Sequence, residues 1–178
     1  QGGLVRDHAA FAGQWLASTV VEGDGPLALH FPPEGIPLAA SLTQGESGAT
    51  TTWIPHGRTV ADDSPGWRRL RLIYAVRRGF DYFSSAACAA LLDTVHGEFE
   101  RRASHLFGDV IAGSFQDELP SLPTWGAEFQ AAFQAQHGYD LLTNLGLLWE
   151  GDDDQAQNVR ADFHAVRAAL AEAAFFKP

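Results

Sequence analysis

The sequence predicts an α/β chain, a segment of a (β/α)8 barrel carrying a small antiparallel β insertion. Two observations lead there. Residues 110–125 read as a short buried strand, Val110-Ile111-Ala112-Gly113-Ser114-Phe115, an acidic strand end, Gln116-Asp117-Glu118, and a proline-punctuated loop to Trp125, with helical stretches before and after. In barrels of alternating strands and helices, the carboxyl ends of strands carry the chemistry. Residues 19–78, by contrast, are rich in Gly, Pro, Thr and Val and show no helical period of any length. A full barrel needs roughly 250 residues, so these 178 are expected to form a piece of one.

Along the chain, Gln1-Gly2-Gly3 reads as the tail of a loop. Asp7 is a candidate N-cap for a helix over about residues 8–18, with Phe11, Trp15 and Leu16 on one side. Residues 1–18 are thus expected to be a first barrel loop and helix. Candidate strands follow at 19–22, 27–31, 38–42, 50–54 and 67–76. Turn signals such as Gly23-Asp24-Gly25-Pro26 and Asp62-Asp63-Ser64-Pro65-Gly66 separate them at hairpin spacing. Residues 19–78 therefore form the expected β-rich insertion, its last strand leading into the barrel. Residues 79–178 are expected to supply its strand–helix units. Ser84 or Ser85 caps a helix whose stripe runs Cys88, Leu91, Leu92, Val95, Phe99, Leu106 and Phe107, and Gly108 stops it. Further helices are predicted over 125–136, over 141–149, and through Val159, Phe163, Val166, Leu170 and Ala173.

The composition excludes several classes of function. Net charge is −10, with 22 acidic against 12 basic residues. Phosphate contacts need clustered Lys and Arg, so no nucleic-acid partner is expected. No apolar run reaches a membrane-spanning length, so no membrane is expected either. Cys88, the one cysteine, permits no disulfide within the chain and reads as a small core residue. The seven histidines show no paired metal spacing. Asp152-Asp153-Asp154 lacks the Gly and Glu of a calcium loop and reads as a solvated connector. The chain opens on Gln1 and contains no methionine, so its natural N-terminus is expected to lie elsewhere, and the lack of a signal peptide leaves the location open.

The candidate chemistry is carboxylate chemistry. Glycosidic cleavage usually uses two carboxyl groups, one donating a proton to the leaving oxygen, the other activating water or attacking the sugar. Glu118 follows a buried strand, neighbours Asp117, and has Trp125 a loop away, which suits an acid of raised pKa. Neighbours on a strand point to opposite faces, so Glu118 is the expected acid and Asp117 a supporting group. The competing reading is a solvated loop start. Asp81, at the end of an earlier strand, binds a hydroxyl or caps a helix. Tyr82 and Trp125 are candidates for stacking on a sugar ring, as is Phe83, for which packing is the better reading. Trp53 and His56 would edge a cleft from the insertion or play structural roles.

Three stretches carry a family resemblance: Gly79-Phe80-Asp81-Tyr82-Phe83-Ser84 entering a helix, Phe107-Gly108-Asp109 through Phe115-Gln116-Asp117-Glu118, and His137-Gly138-Tyr139-Asp140-Leu141-Leu142. Over residues 70–150 the chain resembles the barrel domain of the α-L-rhamnosidase-like group of bacterial glycoside hydrolases, glycoside hydrolase family 106. The resemblance implies a catalytic barrel within a multidomain polypeptide, a carbohydrate substrate and an inverting mechanism. It implies Glu118 as the active-site acid with Asp117 beside it. It also implies calcium, whose site has no clear counterpart here. The expected function is hydrolysis of a rhamnoside or related glycan. The alternative is a non-catalytic carbohydrate-binding or scaffold domain.

Overall fold

The computed structural model describes residues 2–24, 27–44, 49–52, 59–60, 67–114 and 121–177. Helix α1 (Gly2–Asp7) leads through a single 3-10 turn into strand β1 (Ala12–Asp24). Strands β2 (Leu27–Ala28), β3 (Gly35–Gln44), β4 (Ala49–Thr52), β5 (Thr59–Val60) and β6 (Trp67–Phe80) follow. Helices α2 (Ser85–Leu92) and α3 (Glu98–Ala103) flank a π-helical turn, a 3-10 turn (Ser104–Leu106) follows, and α4 (Phe129–His137), a 3-10 segment (Leu142–Leu148), α5 (Asp154–Ala171) and a last π-helical turn (Glu172–Phe176) complete the order.

The main sheet runs β1-β6-β3-β4 with every pairing antiparallel, and β2 pairs with β5 in a separate ladder. This overturns the barrel expectation. A (β/α)8 segment needs parallel strands joined by crossover helices, and the described strands pair in the opposite sense. The expected insertion supplies the sheet itself. The reason lies in β6. Leu70, Leu72 and Tyr74 face Leu27, Leu29 and Phe31, while Ile73 and Ala75 face a helical layer of Phe129, Phe133, Leu145, Val159, Phe163 and Val166. Alternate side chains leave a strand on opposite faces. A strand apolar on both faces must lie between two covering layers, and β6 is the central strand.

Two further expectations fail. Where a helix is predicted over residues 8–18, a 3-10 turn (Ala9–Phe11) leads into the first half of β1, paired to β6 from Ala12↔Phe80 onward. Gly13 fits the strand: a Cβ there would come within 2.7 Å of the Phe80 carbonyl oxygen. The β-branched run Thr19-Val20-Val21 continues the same strand, and pairing outweighs the weak helical spacing of Phe11 and Trp15. The predicted buried strand from Val110 is, in its described part, turn and irregular chain. Val110 is 70 % exposed, and Ile111 makes one isolated bridge to Phe107. A four-to-six-residue apolar run does not specify a strand without partners.

The helical expectations fare better. Ser84 caps α2, its Oγ accepting from the Ala87 amide at 3.2 Å. Gly138, with φ of 78°, ends α4 in the left-handed conformation that a side chain resists. Asp153, inside the acidic connector, caps α5 by accepting from Ala156 N at 2.8 Å. The expected stripe after Ser84 is buried only through Leu91, and Phe99 is 61 % exposed. No described helix is long and apolar enough to cross a membrane.

Candidate functional site

Among the sequence-predicted residues that the structure describes, Asp81 carries the most chemistry. It lies directly after β6, where its backbone amide donates to the Phe11 carbonyl at 2.9 Å. Its Oδ1 accepts from Phe83 N at 3.0 Å, which closes the turn into α2. Burial raises its pKa above the ordinary carboxylate value. Hydrogen bonds from the Phe83 and Ser84 amides oppose that shift, and the nearby Glu128 carboxylate reinforces it. A half-buried carboxyl holds its proton to somewhat higher pH than an exposed one.

The segment after residue 120 is pinned to this same end of the sheet. Thr124 N and Trp125 N both donate to the Gln14 carbonyl at 3.1 Å. Thr124 Oγ1 accepts from Leu16 N at 2.7 Å. Arg167, reaching over from α5, donates to the Pro123 and Leu122 carbonyls at 2.8 and 2.7 Å. Pro123 and the Phe80 carbonyl meet at Gly13, and Gly126 lies against the Phe83 ring. Thus the turn 81–84, strand β1 and residues 122–128 converge on Asp81.

Asp117 and Glu118 lie outside the described residues, as do Trp53 and His56. Tyr82 and Trp125 are both described, and both are core side chains where the sequence expectation had them lining a sugar site. Tyr82 is 1 % exposed, its ring edge-on to Phe80 and Phe175 at 5.0 Å. Trp125 stacks on Phe129 at 5.3 Å in the layer beneath the sheet. A ring packed on its neighbours has no free face for a ligand, so these two fix the walls of the turn. Phe83 packs on Phe129 as the packing reading expected.

Cys88 is buried, as its place in the apolar pattern predicts. Burial, with the charge of Asp81 adding to it, pushes its thiol up to about 11. The thiolate is the reactive form, so Cys88 should resist a thiol reagent at pH 8 in the folded protein and react fully in denaturant. Rapid stoichiometric labelling of the native state would contradict its burial.

Sequence reasoning missed Glu128 and Arg167. Glu128 reads as an ordinary acid at a helix start, and nothing in its spacing shows that its charge reaches Asp81. Arg167 lies on α5 among small residues and gave no signal of its two carbonyl partners. Among the described residues, no three His, Cys, Asp or Glu side chains gather as a metal cage, so none is a candidate for the calcium site that the family resemblance implies. Compared with protein-family models and with curated proteins, the sequence matches none.

Proposed function

We propose that this chain is the acid-bearing part of a glycoside hydrolase of the α-L-rhamnosidase-like kind, acting on a rhamnoside or related glycan. The observation that supports it is the Asp81 carboxyl, its pKa raised by burial, at the end of the central strand, where the segment that follows Glu118 by three residues is pinned. In this reading Glu118 donates a proton to the leaving glycosidic oxygen while a second carboxylate activates water from the opposite side of the ring. Asp117 supports Glu118. Asp81 binds a substrate hydroxyl, and the packed Tyr82 and Trp125 hold its turn in register. Further domains of the same polypeptide complete the site.

In the full polypeptide, Glu118→Gln should cut turnover of an activated aryl rhamnoside by about two orders of magnitude or more while leaving the thermal midpoint in place, because removing a general acid typically costs 10²–10⁴ in rate. Unchanged turnover would sink the assignment.

One observation favours a second reading. The Asp81 carboxylate already closes the turn with Phe83 N, and Tyr82 and Trp125 are buried, as suits a non-catalytic carbohydrate-binding or scaffold domain. That reading expects sugar binding without hydrolysis, unaffected by Glu118→Gln.

A further inference from the structure

We infer that an open groove between the end of α4 and the first half of α5, away from Asp81, binds a neutral sugar ring. The groove has a volume of about 630 Å³ and is lined by Tyr139, Asn144, Gln155, Asn158, Val159 and Asp162. Ligand sites commonly span roughly 300–1,000 Å³. Gln155, Asn158 and Asp162 are spaced three and four apart, which puts them on one face of α5. Glu128, whose charge reaches Asp81, precedes α4, and Tyr139 follows it. The nine residues of the helix separate the two places by roughly 13 Å at 1.5 Å per residue.

The lining chooses the ligand class. It contains no Lys or Arg, so an anion would meet the Asp162 carboxylate without a compensating cation. Asp162 is also a poor cation site, since both of its oxygens are engaged: Tyr139 OH donates to Oδ2 at 2.9 Å, and His137 Nδ1 lies 3.3 Å from Oδ1. Val159 is the one aliphatic side chain of the lining, and the Tyr139 ring supplies a further apolar wall, which suits the C–H face of a sugar ring better than a wholly apolar guest. What remains is a phenol, three amides and a carboxylate. Amides both donate and accept, and so do the neighbouring hydroxyls of a sugar.

Part of the lining is held by hydrogen bonds within the protein, while Gln155 and Asn158 stand exposed on the face of α5. Gln155 Nε2 donates to Asn144 Oδ1 at 3.2 Å, and Asn144 Nδ2 donates to the Asp140 carbonyl at 3.0 Å. Tyr139 packs edge-on to Phe133 at 4.9 Å. Burial and its bond to Asp162 push its hydroxyl up to about 12, so it stays a donor. The Asn158 amide and Gln155 Oε1 make no hydrogen bond to another described residue, and these are the groups left to meet the guest. The inference stands whether or not Glu118 is catalytic.

The test is a titration of the purified full polypeptide with methyl α-L-rhamnoside, methyl α-D-glucoside and methyl β-D-galactoside, followed by the side-chain amide NMR signals of asparagine and glutamine. Glycerol and glucuronate serve as comparison solutes. At least one methyl glycoside should move the signals of Asn144, Gln155 and Asn158 along a saturable millimolar curve, whereas glycerol and glucuronate should not. The Gln155→Ala, Asn158→Ala double variant should weaken that binding by about tenfold or more, a loss of about 1.4 kcal/mol, with its melting temperature retained. The proposal is overturned if no glycoside saturates, if glycerol acts equally, or if the double variant binds as before. Turnover is read on Glu118→Gln and binding on the groove double variant, so loss of turnover and loss of this binding are separate outcomes.

Discussion

Phe129→Ala should destabilise the protein by about 3–5 kcal/mol, the range for truncating a fully buried aromatic. Phe129 is 0 % exposed and holds three aromatic neighbours at once: Trp125 at 5.3 Å, Phe163 at 5.0 Å and Phe83 at 5.9 Å. These come from three different parts of the chain, so none can shift into the vacated space without leaving another contact. The change therefore loses the transfer free energy of the ring and leaves a cavity that cannot collapse. Domains have only about 5–15 kcal/mol of net stability. At roughly 2–4 °C per kcal/mol for a chain of this size, the thermal midpoint should fall by about 6–20 °C. Phe129→Leu should cost much less. A loss below about 1 kcal/mol for the alanine variant, measured by denaturant titration, would mean that the aromatic cluster does not anchor the helical layer to the turn at Asp81.

The second large effect concerns charge. Arg71 lies on β6 among apolar neighbours, and its Nε meets Glu150 Oε1 at 2.8 Å while Nη1 donates to Ser18 Oγ at 2.9 Å. Its guanidinium also lies 6.0 Å from the Trp149 ring centroid. The two charged side chains are 9 % and 17 % exposed. Arg71→Ala should cost about 3 kcal/mol, at the low end for a broken buried pair because Glu150 keeps some contact with water. Replacing both partners, as Arg71→Met with Glu150→Leu, should cost far less than the single change, since no unpaired carboxylate remains. A double-mutant cycle by urea denaturation decides the matter. Additive losses would show that the pair contributes no coupling, and that Arg71 acts through Ser18 and its packing on Trp149.

The residues of β6 also show how much of this fold was legible. The run Leu70-Arg71-Leu72-Ile73-Tyr74-Ala75 announces a strand, and Asp62 to Gly66 announces the turn before it. Its partners were harder to see, because hairpin spacing suggests neighbours adjacent in sequence. Here β1 and β3 flank β6 from a distance. Residues 12–18 misled for a related reason: Phe11, Trp15 and Leu16 match a helical spacing, and only pairing with β6 makes a strand of them. Ser84 reads as a cap and is one, whereas Asp153, which reads as part of a solvated connector, caps α5. For the candidate site, Asp81 was visible as an acid at a strand end. Glu128 became its neighbour only through the fold. Tyr82 and Trp125 were read as platforms because composition does not distinguish an aromatic that waits for a ligand from one that packs on another ring. Asp117 and Glu118 lie outside the described residues.

The strand order has a consequence for how the chain reaches its folded state. The central strand is the last of the sheet to be synthesised. β1 and β3 do not pair with each other, and β1 finds its partner across separations that run from Asp24↔Trp67 to Ala12↔Phe80. Until β6 has emerged from the ribosome, β1 exposes both of its edges, and β3 can engage only β4. Such long-range pairing meets its loop-closure entropy before any contact compensates, which makes folding slow. Unpaired strand edges in the nascent chain are also where association with other chains begins. The interval between the emergence of β1 and that of β6 is therefore the window in which those edges stand open to association.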